Sequence, residues 1–180
     1  MKTDVEALAA ACVRGEAKAF GELFNALRVP VFNVAYRMVG DANDASDICQ
    51  ITFVKAYERI SDFDSRYKLF SWIYRIAINE SINHLKRHAR RSPLPGDEMA
   101  PDRAPDAVCH GHELGALIQD ALMQLPHRQR ALIILCHFRG CTYLEMAGIL
   151  KVPESTVRSG LYAVRQKLQE LLQAAGARPW

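Results

Sequence analysis

Nowhere in this chain of 180 residues is there an apolar run of the ~18–20 residues that a bilayer-spanning helix needs. A phosphate-cradling glycine loop, paired carboxylates with a shared site and a nucleophile beside a base are all missing, so no enzyme acting by itself and no cofactor is expected. Convincing strand alternation is absent too. Cysteines are few and odd in number, five in all, spread over Cys12, Cys49, Cys109, Cys136 and Cys141. That argues against a secreted disulfide framework. Most fall inside helical patterns, where a thiol serves as a small buried hydrophobe in a reducing cytosol. The opening MKTDVEALAAACVRGEAKAF carries acids early and an arginine within its apolar stretch, so it does not read as a secretory signal. A soluble, cytoplasmic protein is the expectation.

What is present is helical period. Hydrophobic residues make up 49% of the chain, enough to bury a core. Val5, Leu8, Ala9 and Cys12 form a short stripe. Phe20, Leu23, Phe24, Leu27, Val31, Val34, Ala35 and Met38 form a longer one, which Pro30 is expected to bend. GDAND at 40–44 supplies a turn and N-caps for a third helix over about 45–59. SDFDSRYK at 61–68 reads as a loop, and a fourth helix follows over about 69–91. Residues 92–107 hold four prolines and little to build a core, so they read as a flexible linker. Beyond it Leu114, Leu117, Ile118, Ala121, Leu122 and Leu125 make a further stripe, Pro126 suits the first turn of the next helix and Gly140 its C-terminal cap. The expected fold is all-α: a helical domain over 1–91, a Pro-rich acidic linker over 92–112, and a second helical domain over 113–180.

The net charge of +3 says little, but its distribution says more. KRHARR at 86–91 has four cations and no acid, whereas 92–113 carries five acids against one arginine, and Arg158, Arg165 and Lys167 restore positive charge near the end. That order suggests two nucleic-acid contacts joined by a spacer.

TYLEMAGILKVPESTVRSGLYAVRQKL, residues 142–168, has the pattern of a helix-turn-helix. Thr142 and Glu145 form a capping box, so a helix should start at Tyr143. It is expected to bury Met146, Ala147 and Leu150, with Ala147 small enough for a close crossing. Pro153 opens a second helix that buries Val157, Leu161, Val164 and Leu168. Its other face carries Ser155, Arg158, Ser159, Tyr162, Arg165 and Gln169, side chains that reach phosphates and base edges in a major groove. A plain solvated face is the competing reading, made less attractive by the cap, the turn and the small crossing residue together.

On the helix over 69–91, Trp72, Arg75, Asn79, Asn83, Lys86 and Arg90 fall within about 60° of one another on a wheel of ~100° per residue. The remaining faces are apolar. Asparagines that read base edges, an aromatic that stacks on an unpaired base and cations that meet phosphates suit single-stranded nucleic acid. The alternative is a solvated stripe with Trp72 tucked into the core.

The stretches GDANDASDICQITFVKAYERISDFD, FSWIYRIAINESINHLKR and LPHRQRALIILCHFRGCTYLEMAGILKVPESTVRSGLYAVRQKL together resemble the extracytoplasmic-function (group IV) bacterial sigma factors over nearly the whole chain. The resemblance implies a region 2 domain, a linker and a region 4 domain. It implies docking on the β′ clamp helices of core RNA polymerase through Asp44, Asp47, Gln50 and Phe53, with region 4 on the β flap. It implies opening and reading of the −10 element by Phe63, Asp64, Trp72, Arg75, Asn79, Asn83, Lys86 and Arg90, with Asn79 reading a flipped base against a pocket wall at Phe63 and Asp64. Ser155, Thr156, Arg158, Ser159, Tyr162 and Arg165 match the −35 contacts. The linker matches the segment that threads toward the polymerase active site. An anti-sigma factor, often membrane-anchored, is implied as a further partner.

The sequence departs from that pattern in places. Glu is frequent where Ser46 and Ile51 stand, and Gly is usual where Lys151 stands. A basic residue is common at Gly160 and Ala163, so −35 contacts are expected to be fewer. Two rival functions remain open from the residues. A stand-alone helix-turn-helix regulator would leave the Asn and Trp strip without a purpose. An enzyme is the weaker one, with CHGHE at 109–113 and CHFRGC at 136–141 offering zinc ligands; Cys136 reads as core, which leaves metal binding or redox sensing to Cys109, His110 and His112.

Overall fold

The structure, a computed structural model of the chain, describes residues 5–64, 67–91 and 111–175, with residues 17, 91 and 111–113 as backbone alone. The expected linker lies outside the described residues up to residue 110, as do Cys109 and His110, and the side chain of His112 is likewise not described.

Eight α-helices are present among the described residues: α1 (Val5–Val13), α2 (Ala17–Val39), α3 (Ala42–Glu58), α4 (Leu69–Arg91), α5 (Gly111–Met123), α6 (His127–Ile133), α7 (Tyr143–Leu150) and α8 (Glu154–Ala174). α2 runs through Pro30 as one helix, because a missing N–H removes a single hydrogen bond that tertiary packing outweighs. It closes on Gly40, whose φ of 84° is the left-handed cap glycine favours. α3 starts three residues earlier than its hydrophobic pattern predicts. Asp41 is the N-cap, its side chain accepting from the backbone N–H of Asp44 at 2.8 Å.

α2, α3 and α4 pack on one another around Leu23, Met38, Ile48, Leu69, Ile73 and Ile78, all fully buried. Two polar side chains in that core, Thr52 and Ser81, return their hydroxyls to the carbonyls four residues back, at 2.7 Å and 2.8 Å. The expected loop over 61–68 begins as a 3-10 turn, Ile60–Asp62, and delivers Phe63 into the core. A carboxylate from α1, that of Glu6, accepts the backbone N–H of Leu69 at 3.4 Å and so helps to satisfy the first turn of α4.

The second core gathers Leu122, Ile133, Ile134, Leu135, Met146, Ile149, Val157, Leu161 and Val164. α6 does not reach Gly140 as a plain α-helix but widens into a π segment, Ile134–Phe138. Four successive side chains, Leu132 to Leu135, are buried, which no single face of an α-helix can do; the extra residue per turn rotates the run into the core. The expected burial in the helix-turn-helix changes at four positions: Ile149 is fully buried, while Ala147, Leu150 and Leu168 are only half-buried.

The two groups of core residues join in one continuous cluster, because the C-terminal helices lie against α2 and α4. Lys68 Nζ pairs with Glu145 Oε1 at 2.7 Å, the Arg37 guanidinium stacks 3.7 Å over the Phe138 ring, and Arg139 lies 5.1 Å over Tyr74.

Candidate nucleic-acid interface

The first half of α4 is buried through Leu69, Ile73, Tyr74, Ala77, Ile78 and Ser81. Its period leaves one strip outside as far as Asn83, and residues 86–90 beyond it are exposed all round. Asn79, Asn83, Lys86 and Arg90 are exposed along it, whereas Trp72 and Arg75 are half-buried at its start. The Trp72 ring rests tilted on Phe63 with centroids 5.7 Å apart, and Phe63 is itself 8% exposed. Phe63 thus backs Trp72 rather than presenting its own face. Asp64 is half-buried beside it. The Nε of Arg75 is buried without a hydrogen-bond partner, leaving a donor uncommitted at the strip.

Helix-turn-helix geometry is complete in residues 142–174. The capping box is formed in both directions: Thr142 N–H donates to Glu145 Oε2 at 2.8 Å, and Glu145 N–H to Thr142 Oγ1 at 3.3 Å. Burial opposes the charge on Glu145, but hydrogen bonds from Lys68 and Thr142 outweigh it and hold the carboxyl below its ordinary range. Lys151 ends α7 in the left-handed conformation, and α8 begins at Glu154. Ser155, Thr156, Arg158, Ser159, Tyr162 and Arg165 are all exposed on α8. Arg158 is held at 2.7 Å by Glu154, a solvent-exposed pair that phosphate oxygens readily replace. Arg165 reaches back to the π segment, 3.5 Å from Cys136 Sγ and 3.4 Å from His137 Nε2.

The two departures on α8 have different meanings in three dimensions. Ala163 is exposed, so a cation there is free to reach DNA. Gly160 faces inward: a Cβ on it would sit 2.8 Å from Leu132 Cδ1. Its lack of a side chain belongs to the α6–α8 crossing.

On α3, Asp47 and Gln50 are exposed and Asp44 is half-buried, its carboxylate 2.9 Å from His84 Nε2 of α4. Phe53 is not available as a direct docking contact. It is 4% exposed, with its ring edge-on to Phe24, because it falls on the inward side of α3 with Cys49 and Ala56. The apolar side chains on that outer face are instead Ile51, Val54 and Tyr57, which the hydrophobic pattern alone did not separate from core.

A cleft of about 620 Å³ lies between the exposed strip of α4 and the C-terminal helices. Asn79, Asn83 and Lys86 of α4 lie on one side, with His127, Arg128 and Thr156 among the residues opposite. His127 and Arg128 went unnoticed in the sequence because nothing local marks them; only docking of the C-terminal helices brings them to α4. Among the described residues no group of three His, Cys, Asp or Glu side chains is placed to hold a metal ion.

The chain matches the family model of Sigma-70 region 2 over residues 23–91 and that of Sigma-70 region 4 over residues 115–168. It is 31% identical to the RNA polymerase sigma-H factor of Pseudomonas aeruginosa over 89% of each chain. It is 27% identical to the ECF RNA polymerase sigma factor SigW of Bacillus subtilis, over 89% of this chain and 92% of that one. In three dimensions it is similar to CnrH, solved in complex with the cytosolic domain of CnrY, with a TM-score of 0.72, 26% identity and coverage of 94% of this chain and 97% of CnrH. With both sigma-70 regions matched in order and this likeness to relatives over nearly the whole chain, the chain belongs to the extracytoplasmic-function family of RNA polymerase sigma factors, which direct core polymerase to promoters and leave catalysis to it.

Proposed function

We propose that three surfaces divide the work of this sigma factor. The outer face of α3, with Asp44, Asp47 and Gln50 beside exposed Ile51, Val54 and Tyr57, docks on the β′ clamp helices of core polymerase. The strip on α4 from Trp72 to Arg90 takes the unpaired strand of the −10 element, with Asn79 reading a base edge. α8 enters the major groove of the −35 element through Ser155, Thr156, Arg158, Ser159, Tyr162 and Arg165. Region 2 then spans 1–91, the linker 92–112, and region 4, which also meets the β flap, 113–180. The observation that supports the reading is α4 itself: its first half is packed into the core, and the side chains it exposes from Asn79 to Arg90 include two amides and three cations, the combination that meets bases and phosphates.

The cytoplasm is the compartment this role requires. No helix among the described residues is long and apolar enough to cross a membrane. An anti-sigma factor, membrane-anchored in many family members, is the proposed inhibitor; the related CnrH is solved with the cytosolic domain of another protein.

The test is to add the purified protein to core bacterial RNA polymerase and map transcript starts on genomic DNA. Specific starts sharing paired upstream elements are expected. Absence of starts, together with salt-sensitive duplex binding by the protein alone, would overturn the reading in favour of a stand-alone regulator.

A further inference from the structure

The cleft beside α4 has the composition of a small-molecule site. Its volume of about 620 Å³ falls within the ~300–1,000 Å³ that such pockets occupy. Its floor is apolar: Ile78 and Ile82 of α4 line it with Leu132, Leu150 and Val152 of the C-terminal helices. Ile78 is buried, whereas Ile82, Leu150 and Val152 are half-buried, so the floor keeps apolar surface open to an occupant.

Polar groups ring that floor. Asn79 and Asn83 are exposed on α4, and each offers an amide carbonyl and an NH2. Lys86 follows on the same helix, and Arg128 lines the opposite wall. Both cations are exposed, and neither has an acidic partner among the described residues. The acid in the lining, Glu80, is already neutralised: its carboxylate lies 2.7 Å from Lys55 Nζ of α3. Two uncompensated positive charges therefore face one concavity, where a low-dielectric wall strengthens their field. On the wall with Arg128, His127 Nδ1 is buried without a hydrogen-bond partner among the described residues.

These features select the chemistry of the occupant. A plain anion would leave the apolar floor wet, and an apolar molecule would strip water from two cations without replacing it. A molecule with a flat heterocycle at one end and several negative charges at the other satisfies both. We infer that the cleft binds a free nucleoside triphosphate, its base over Ile82 and Val152 with an edge toward Asn79 and Asn83, and its phosphates between Lys86 and Arg128. Granted the assignment of Asn79, Asn83 and Lys86 to the −10 strand, nucleotide and strand exclude one another. Arg128 belongs to the nucleotide site alone, which separates the two ligands by experiment.

The test titrates the full chain with ATP and with GTP, followed by amide chemical shifts, with tripolyphosphate and adenosine as the separate halves. Saturable binding of one nucleotide per chain is expected, with each half at least about tenfold weaker than the better nucleotide. Arg128→Ala removes one exposed cation and should weaken nucleotide binding about tenfold, the loss of a charged hydrogen bond. Lys18→Ala, an exposed cation outside the lining, should leave it unchanged. Circular dichroism establishes that both variants are folded. A single-stranded −10 oligonucleotide should be displaced by the nucleotide, and Arg128→Ala should relieve that competition without altering affinity for the oligonucleotide. No saturable binding of either nucleotide, tripolyphosphate binding as tightly as both, or a folded Arg128→Ala variant with full affinity would each overturn the proposal. An oligonucleotide that binds alongside the nucleotide would overturn it too. Nucleotide binding is read without polymerase or promoter, so failure of the sigma assignment appears separately, as absent transcript starts.

Discussion

The backbone N–H of Lys151 donates to the carbonyl of Ala147, with Lys151 at φ 53° and ψ 50°. It is the non-glycine residue of positive φ among the described residues. A left-handed conformation brings Cβ against the following carbonyl, at a cost of about 1 kcal/mol. Lys151→Gly should therefore stabilise the protein by about 1 kcal/mol, less the entropy that glycine adds to the unfolded chain. Thermal and urea unfolding measure it, and a loss of stability would show that the lysine makes a compensating contact.

Gly160 and Ala163 make a matched pair. Gly160→Arg should lower the melting temperature without tightening the −35 duplex, because its first side-chain atoms meet Leu132. Ala163→Arg, on the exposed side, should leave stability nearly unchanged and tighten duplex binding several-fold, with a steeper salt dependence. Titrations of holoenzyme on the two DNA elements separate these outcomes.

Asn79 is exposed and contributes nothing to the core, so its removal reports on recognition alone. Asn79→Ala should reduce open-complex formation on a matched promoter roughly 10- to 100-fold, the loss of a bidentate base contact, while core-polymerase affinity stays constant. Equal losses in both assays would defeat the base-reading role.

Burial first, and then the nearby cations Arg130 and Lys86, hold His127 below the ordinary histidine pKa of 6.5. The folded protein therefore binds fewer protons here than the unfolded chain as pH falls through 6.5, and stability is lost in that direction. Unfolding transitions measured from pH 8 to pH 5 should shift to lower denaturant on acidification, and His127→Asn should flatten part of that slope. His137 contributes in the same sense, through its own burial and Arg165, and sets the residue left after the His127 substitution.

Much of this architecture is visible in periodicity. The wheel containing Trp72, Asn79, Asn83 and Lys86 separates the exposed strip of α4 from its buried faces, since local geometry alone decides which side chains share a face. The capping box at Thr142 and Glu145 marks the start of α7 for the same reason: cap and helix are three residues apart. Where burial depends on what arrives from elsewhere, pattern is silent. Phe53, taken as a docking residue, is covered by Phe24 of α2, and Val54 and Tyr57 are left outside by the same packing. The π segment over Ile134–Phe138 was likewise invisible, because the apolar run of 132–135 fits either helix type until a surrounding core demands all four side chains.

By itself, then, the sequence determined the helices, the capping box at Thr142 and the polar faces of α4 and α8, all of which depend on residues within a few turns of one another. Only the tertiary structure decided the company those faces keep. Arg130 stands 92 positions from Met38 and Lys68 stands 77 from Glu145, so no local pattern announces either contact. The carbonyls at the end of α2 need a donor, but which donor reaches them is settled by how the C-terminal helices come to rest on α2 and α4.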